Sequence, residues 1–183
     1  GMLHEGWSAQ VDDYAIVCGW ALQGKTFLVG DVAGGLYAFE GKSGKLIWQS
    51  KDIHKGGLLA MSIHPDGNTF ATAGQDGHVC IWESKEGKST KNLELGKGWV
   101  EHIKWSPDGK FLAVVFTKYV YVFDENGQEH WRSEEHPSTV SAISWSNSNE
   151  LATACYGQVT FYDVVGDKIN QKLEWRGSLV SMV

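Results

Sequence analysis

Histidine, cysteine and paired carboxylates are the residue types in this chain that could carry chemistry, and their spacing decides whether they do. Seven histidines invite a metal site, but no pair stands at ligand spacing beside a cysteine or carboxylate cluster, as a zinc site requires. Cys18, Cys80 and Cys155 are odd in number and lack metal spacing. They read as reduced cysteines within strands, which points to a reducing, cytoplasmic setting. Gly35, Gly41, Lys42 and Ser43 approximate a phosphate loop. The gap between the two glycines is one residue too long, and the segment leads into a strand where a phosphate loop must open a helix. It reads as a hairpin turn. No Gly-x-Ser-x-Gly elbow is present, so a serine nucleophile has no foothold. Glu134 and Glu135 fall in a polar loop, whereas a glycosidase pair needs a cleft and a set separation. The expectation is therefore recognition rather than catalysis, with no metal, no cofactor and no catalytic residue.

Composition narrows the partners. The net charge of the 183 residues is −6, with no dominant run of like charge. That argues against nucleic acid and against an anionic membrane, both of which demand a basic face; the mild acidity reads as solubility. No apolar run approaches the roughly 20 residues of a membrane helix, and no segment reads as a secretory signal. Nine tryptophans, 22 glycines and only three prolines, with many short apolar runs, predict an antiparallel all-β protein.

The elements that must position the candidate residues are clearest in 58–83. Runs at 58–64 and 69–73 flank His64-Pro65-Asp66-Gly67, where proline presets one turn residue and glycine takes the positive φ. Asp76-Gly77 then joins a third run, 78–82, as a hairpin. The unit recurs. An offset of 43 places Phe27 under Phe70, Gly24 under Gly67, Gly34 under Gly77 and Glu40 under Glu83. Val100, Ile103 and Trp105, then Val140, Ile143 and Trp145, repeat the spacing of Leu58, Met61 and Ile63. Ser106-Pro107-Asp108-Gly109 and 146–149 repeat the first turn. An acid closes the third run at Glu40, Glu83, Asp124 and Asp163, in steps of 43, 41 and 39. Fourth runs are expected at 45–49, 91–95, up to Trp131, and at 169–175. A four-stranded repeat of about 40–45 residues means propeller blades, which must stack to bury their faces. The blades are expected at 13–53, 54–96, 97–136 and 137–178, with a further strand starting at 179–183. Residues 1–12 read as a tail or a borrowed outer strand.

This pattern resembles the WD-repeat β-propeller family. The second unit carries the resemblance best, through His54, the turn at 64–67, Thr72, Asp76-Gly77 and Trp82-Glu83. The resemblance implies that His54, Thr72, Asp76 and Trp82 form a buried hydrogen-bond chain, in which imidazole, hydroxyl, carboxylate and indole N–H satisfy one another. The fourth unit keeps His136, Thr153 and Tyr162-Asp163 but lacks the turn aspartate. The third has Gly96 at the histidine position and Thr117-Lys118 for Asp-Gly; the first has Val11 at the histidine position. Gly44…Trp48 and Gly127…Trp131 also resemble the Gly-x-x-x-Trp of quinoprotein-type propellers, which would make a cofactor-dependent enzyme. Both tryptophans are read here as outer-strand packing.

Exposed aromatics are the functional lead. Trp99 precedes a first strand, while Phe116, Tyr156 and the equivalent Gln75 sit at the second turn. In WD-repeat propellers these places meet on one rim, which implies a protein or peptide partner there. The expected function is a non-catalytic scaffold, alone or as a regulatory module of a larger protein. Four blades left open would expose apolar faces. Two copies joined head to tail would close an eight-bladed ring; the alternative is that a further half of the propeller completes it.

Overall fold

The computed structural model describes residues 6–174. Sixteen strands form four separate four-stranded antiparallel sheets, each hydrogen-bonded in sequence order. Sheet 1 contains β1 (Ala15–Ala21), β2 (Thr26–Asp31), β3 (Leu36–Glu40) and β4 (Leu46–Ser50). Sheet 2 contains β5 (Leu58–Ile63), β6 (Thr69–Gly74), β7 (His78–Glu83) and β8 (Ser89–Glu94). Sheet 3 contains β9 (Val100–Trp105), β10 (Phe111–Phe116), β11 (Tyr119–Asp124) and β12 (Glu129–Arg132). Sheet 4 contains β13 (Ala142–Trp145), β14 (Glu150–Cys155), β15 (Gln158–Asp163) and β16 (Lys168–Glu174). The expected runs match these strands to within a residue or two. The strand expected at 179–183 lies outside the described residues, as do the ends of the segments expected at 1–12 and 137–178.

The sheets stack like blades, with first strands innermost: β1 contacts β5, β5 contacts β9, and β9 contacts β13. Alternation along each strand sends bulky residues backward and small or β-branched residues forward. Leu28, Leu36 and Ala38 of sheet 1 thus meet Phe70 and Trp82 of sheet 2. Ala71, Ala73, Val79 and Ile81 of sheet 2 meet Trp105, Leu112 and Phe123 of sheet 3. Ala113, Val115, Val120 and Val122 of sheet 3 meet Trp145, Leu151 and Tyr162 of sheet 4.

Two polar devices repeat at the ends of the strands. The recurrent acid holds the turn between third and fourth strands. Glu40 Oε2 accepts from Ser43 N–H at 2.7 Å, Glu83 Oε1 from Lys85 N–H at 2.8 Å, Asp124 Oδ1 from Asn126 N–H at 2.8 Å and Asp163 Oδ1 from Gly166 N–H at 2.8 Å. A β-bulge follows in the same place in all four sheets, at Ala38/Phe39, Ile81/Trp82, Val122/Phe123 and Phe161/Tyr162. The second device crosses between sheets. Trp48 of β4 lies over Gly87 and donates its indole N–H to Ser84 O at 3.0 Å. Lys91 of β8 reaches Glu125 O at 3.1 Å over Gly127, and Trp131 of β12 reaches Asp167 Oδ1 at 2.6 Å. Trp48 and Trp131 therefore latch one sheet to the next, beyond packing their own strand.

Residues 6–14 form no strand. They lie on the back of sheet 1, where Trp7 and Val11 pack against Val29, Tyr37 and Phe39. Trp7 lies over Gly44 and donates to Gly41 O at 2.8 Å. Gly41 and Gly44 are the sheet 1 equivalents of Ser84 and Gly87, so Trp7 stands on sheet 1 as Trp48 stands on sheet 2.

Candidate functional site

The hydrogen-bond chain of sheet 2 is assembled. Trp82 Nε1 donates to Thr72 Oγ1 at 2.8 Å, Thr72 Oγ1 lies 2.9 Å from His54 Nε2, and His54 Nδ1 lies 3.0 Å from Asp76 Oδ1. An ionised carboxylate only accepts, so the imidazole carries its proton on Nδ1 and Nε2 accepts the threonine hydroxyl. Thr72, His54 and Trp82 are buried, and the loop at 54–57 is pinned over the β6–β7 hairpin. Burial is the chief cause that pushes the His54 pKa below its ordinary 6.5, against the pull of Asp76. Burial raises the Asp76 carboxyl, but hydrogen bonds from His54 and from the N–H groups of His78 and Lys55 outweigh it and leave the pKa lowered. The imidazole is a neutral structural group.

Sheet 4 builds a shorter version. His136 Nε2 lies 2.8 Å from Thr153 Oγ1, and Tyr162 Oη stands 3.4 Å from the same nitrogen. With no turn aspartate, Nδ1 turns to Lys118 O at 3.0 Å. Burial lowers the His136 pKa as well. Sheet 1 has no histidine and uses another network, in which the Tyr37 hydroxyl donates to buried Asp31 at 3.1 Å and accepts Asp12 N–H at 3.1 Å.

The four rim residues stand at one end of the sheets, where the second–third hairpins and the entries of the first strands meet. Trp99 is 51% exposed and Tyr156 64% exposed. Gln75 and Phe116 are half-buried. The Gln75 side chain lies against Gly56 and Gly57, and Phe116 against Gly96 and Gly98, so both brace the loops between sheets. The same rim carries Tyr14, 77% exposed, and Val32, which sequence reasoning missed. The repeat offset could have found them, since it sets Val32 under Gln75 and Tyr14 at the place of Trp99.

Among the described residues, no group of three or more histidine, cysteine or carboxylate side chains is disposed to hold a metal ion. Among the described residues no helix is long and apolar enough to cross a membrane. Cys80 and Cys155 are buried free thiols, and burial pushes the Cys80 pKa up to about 11.

Comparison with known proteins fits this geometry. The family described as "WD domain, G-beta repeat" matches residues 48–83, the outer strand of sheet 1 and the first three strands of sheet 2. Residues 48–83 thus match a WD repeat. Relatives include a p21-activated protein kinase-interacting protein 1-like protein of Gallus gallus, 38% identical over 118 residues that cover 59% of this chain and 31% of that protein. WD repeat-containing protein 1 of Gallus gallus is 39% identical over 97 residues, covering 50% and 16%. Protein HIR1 of Chaetomium globosum is 28% identical over 126 residues, covering 51% and 12%. The chain thus spans less than a third of the length of these curated relatives. A chain in the crystal structure of the mitotic checkpoint complex shares the fold, with a TM-score of 0.79 at 17% identity, covering 91% of this chain and 52% of that one. The matched stretch contains all four residues of the buried hydrogen-bond chain of sheet 2.

Proposed function

We propose that this WD-repeat chain is a non-catalytic scaffold that binds a protein or peptide on the rim bearing Trp99, Tyr156, Phe116 and Gln75. The observation that carries this reading is the exposure of Trp99 and Tyr156 at the same end of neighbouring sheets, with Tyr14 on that end as well. Large aromatic rings standing in water at one edge are the anchors that hot spots are made of. Gln75 and Phe116 hold the loops that present them. Protein interaction is also the role carried in the name of the Gallus gallus kinase-interacting relative. Among the described residues the histidines, which would be the obvious proton-transfer groups, are either committed to structural bonds, as His54 and His136 are, or lie away from any metal-holding cluster. The free cysteines support a reducing, cytoplasmic setting.

A phage-displayed peptide library panned on the chain tests the reading. Selected peptides are expected to lose about 30-fold in affinity on Trp99→Ala or Tyr156→Ala, the loss of a hot spot worth about 2 kcal/mol. Peptides that bind both variants as well as the parent would place the binding surface elsewhere and remove the rim from consideration.

A further inference from the structure

The turn between the first and second strands of sheet 1 departs from its neighbours, and a groove opens beside it. The repeat offset sets Ala21, Leu22, Gln23 and Lys25 under His64, Pro65, Asp66 and Asn68 of sheet 2. Where sheet 2 meets sheet 3, the His64 ring spans the gap. It packs on Trp105 and lies over Gly109, with Nε2 2.9 Å from Gly109 O. Where sheet 1 meets sheet 2, Ala21 is too short to do this. A backbone bond joins the turns instead, Leu22 N–H donating to Gly67 O at 3.2 Å. Leu22 and Gln23 both adopt left-handed backbone, at φ 50° and 55°, which L residues other than glycine resist. Leu22 thereby packs against the core between the sheets, and Gln23 stands exposed. The space left is a groove of 630 Å³, walled by these two turns and by Lys85 of the turn after β7.

The charge of the groove opposes that of the chain. The chain carries a net −6, but the acid in the groove is engaged: Asp66 Oδ1 lies 2.9 Å from His64 Nδ1 and accepts Asn68 N–H at 2.8 Å. Gln23 is neutral where the neighbouring turns carry Asp66 and Asp108, and Lys25 is cationic where sheet 2 has Asn68. Among the described residues, neither Lys25 nor Lys85 belongs to an ion pair. We propose that this groove binds an acidic peptide segment, its carboxylates pairing with Lys25 and Lys85 and an apolar side chain packing on Leu22 and Pro65. The exposed amides of Gln23 and Asn68 then bond its backbone. The volume falls in the range of sites that hold several groups at once rather than a lone small anion. Two lysines are too few for nucleic acid or an anionic membrane, which demand a broad basic face. Unpaired ammonium groups on both walls select a partner by the sign of its charge. First–second and third–fourth turns lie at the end of the sheets opposite the rim, so this site is separate from the one bearing Trp99 and Tyr156.

An NMR titration of the isotope-labelled full chain with an acetylated hexapeptide, two glutamate pairs flanking a leucine pair, tests this. Saturable shifts are expected at the amides of Gln23, Lys25, Asp66, Asn68 and Lys85, with affinity falling as salt is raised. Lys25→Glu combined with Lys85→Glu should weaken binding at least tenfold, and Gln23→Asp, which restores the acid of the neighbouring turns, about threefold. These side chains are exposed, and unshifted amides in β6 and β10 check that the variants remain folded. The glutamine counterpart of the hexapeptide should give no saturable shift. Trp99→Ala should leave the titration unchanged, so the outcome here is independent of the outcome at the rim. No saturable shift with the hexapeptide, equal binding of its glutamine counterpart, or undiminished binding to the double variant would each overturn the proposal. Shifts at the same amides with inorganic phosphate and none with the hexapeptide would overturn it as well, in favour of a small anion.

Discussion

Thr72 Oγ1 is bonded on both sides within the interior of sheet 2: it accepts from Trp82 Nε1 and donates to His54 Nε2. Thr72→Val keeps the shape and removes both bonds, which leaves an indole N–H and an imidazole nitrogen buried without partners. Unsatisfied buried groups cost roughly 1–3 kcal/mol each, so a loss of about 2–4 kcal/mol is expected by urea denaturation. Thr153→Val in sheet 4 should cost less, about 1–2 kcal/mol, because Tyr162 Oη already stands 3.4 Å from His136 Nε2 and can take up that nitrogen. Equal losses at the two sites would mean that the shorter network of sheet 4 gains nothing from its tyrosine. The two histidines also set the acid response. Burial holds both imidazoles neutral in the folded chain, with pKa values below the ordinary 6.5. As pH falls below that value the unfolded chain takes up protons first, so their stabilisation is present above it and is lost as pH falls through the native pKa values. Asp76, also lowered, adds a loss in the same direction below its ordinary 3.8. Denaturant midpoints measured across this range should decline toward acid, and less steeply for His54→Gln. A decline unchanged in that variant would assign the acid sensitivity to other groups.

At the level of strands and turns, the repeat made the fold legible because each sheet obeys the same constraints. Alternating apolar residues must enter two different interfaces, and a glycine or Asp-Gly must follow wherever the chain reverses. Even the acid at the end of the third strand was visible as a recurrent position, although its task, capping the following turn, required the backbone to be placed. The bulges, whose extra residues in the fourth strands are Ile47, Thr90, His130 and Asn170, left no mark in residue type. The latches were half legible. Trp48 and Trp131 stood out in a shared motif, but Lys91 does the same work through an ammonium group on a flexible stem, and no motif search would pair it with tryptophan. Trp7 was hidden for another reason. It belongs by contact to a sheet with which it shares no strand, so neither alternation nor turn chemistry marks the segment around it. Of the rim, Trp99 and Tyr156 followed from position in the repeat. That Phe116 folds down over Gly96 and Gly98 depended on the path of that loop, which the repeat does not fix.

For the whole molecule, stacking makes stability a matter of neighbours. Each sheet touches only the sheets beside it, so local opening should follow position in the stack. Sheets 2 and 3 are each flanked on both faces by another sheet, and their central strands are buried almost throughout. Among the described residues, sheet 1 has a sheet before it on one face and only the strap on the other. Sheet 4 ends in β16, whose seven residues are all exposed. Native-state hydrogen exchange should therefore rank β6, β7, β10 and β11 slowest, near the global unfolding limit, with β2 and β3 intermediate and β16 fastest. The amides of β1 should exchange faster than those of β5 and β9, since Trp20 on that strand is 53% exposed. A single exchange rate across all four sheets would mean that the stack opens as one unit, and that the latches at Trp48, Lys91 and Trp131 couple the sheets more tightly than face-to-face packing alone requires.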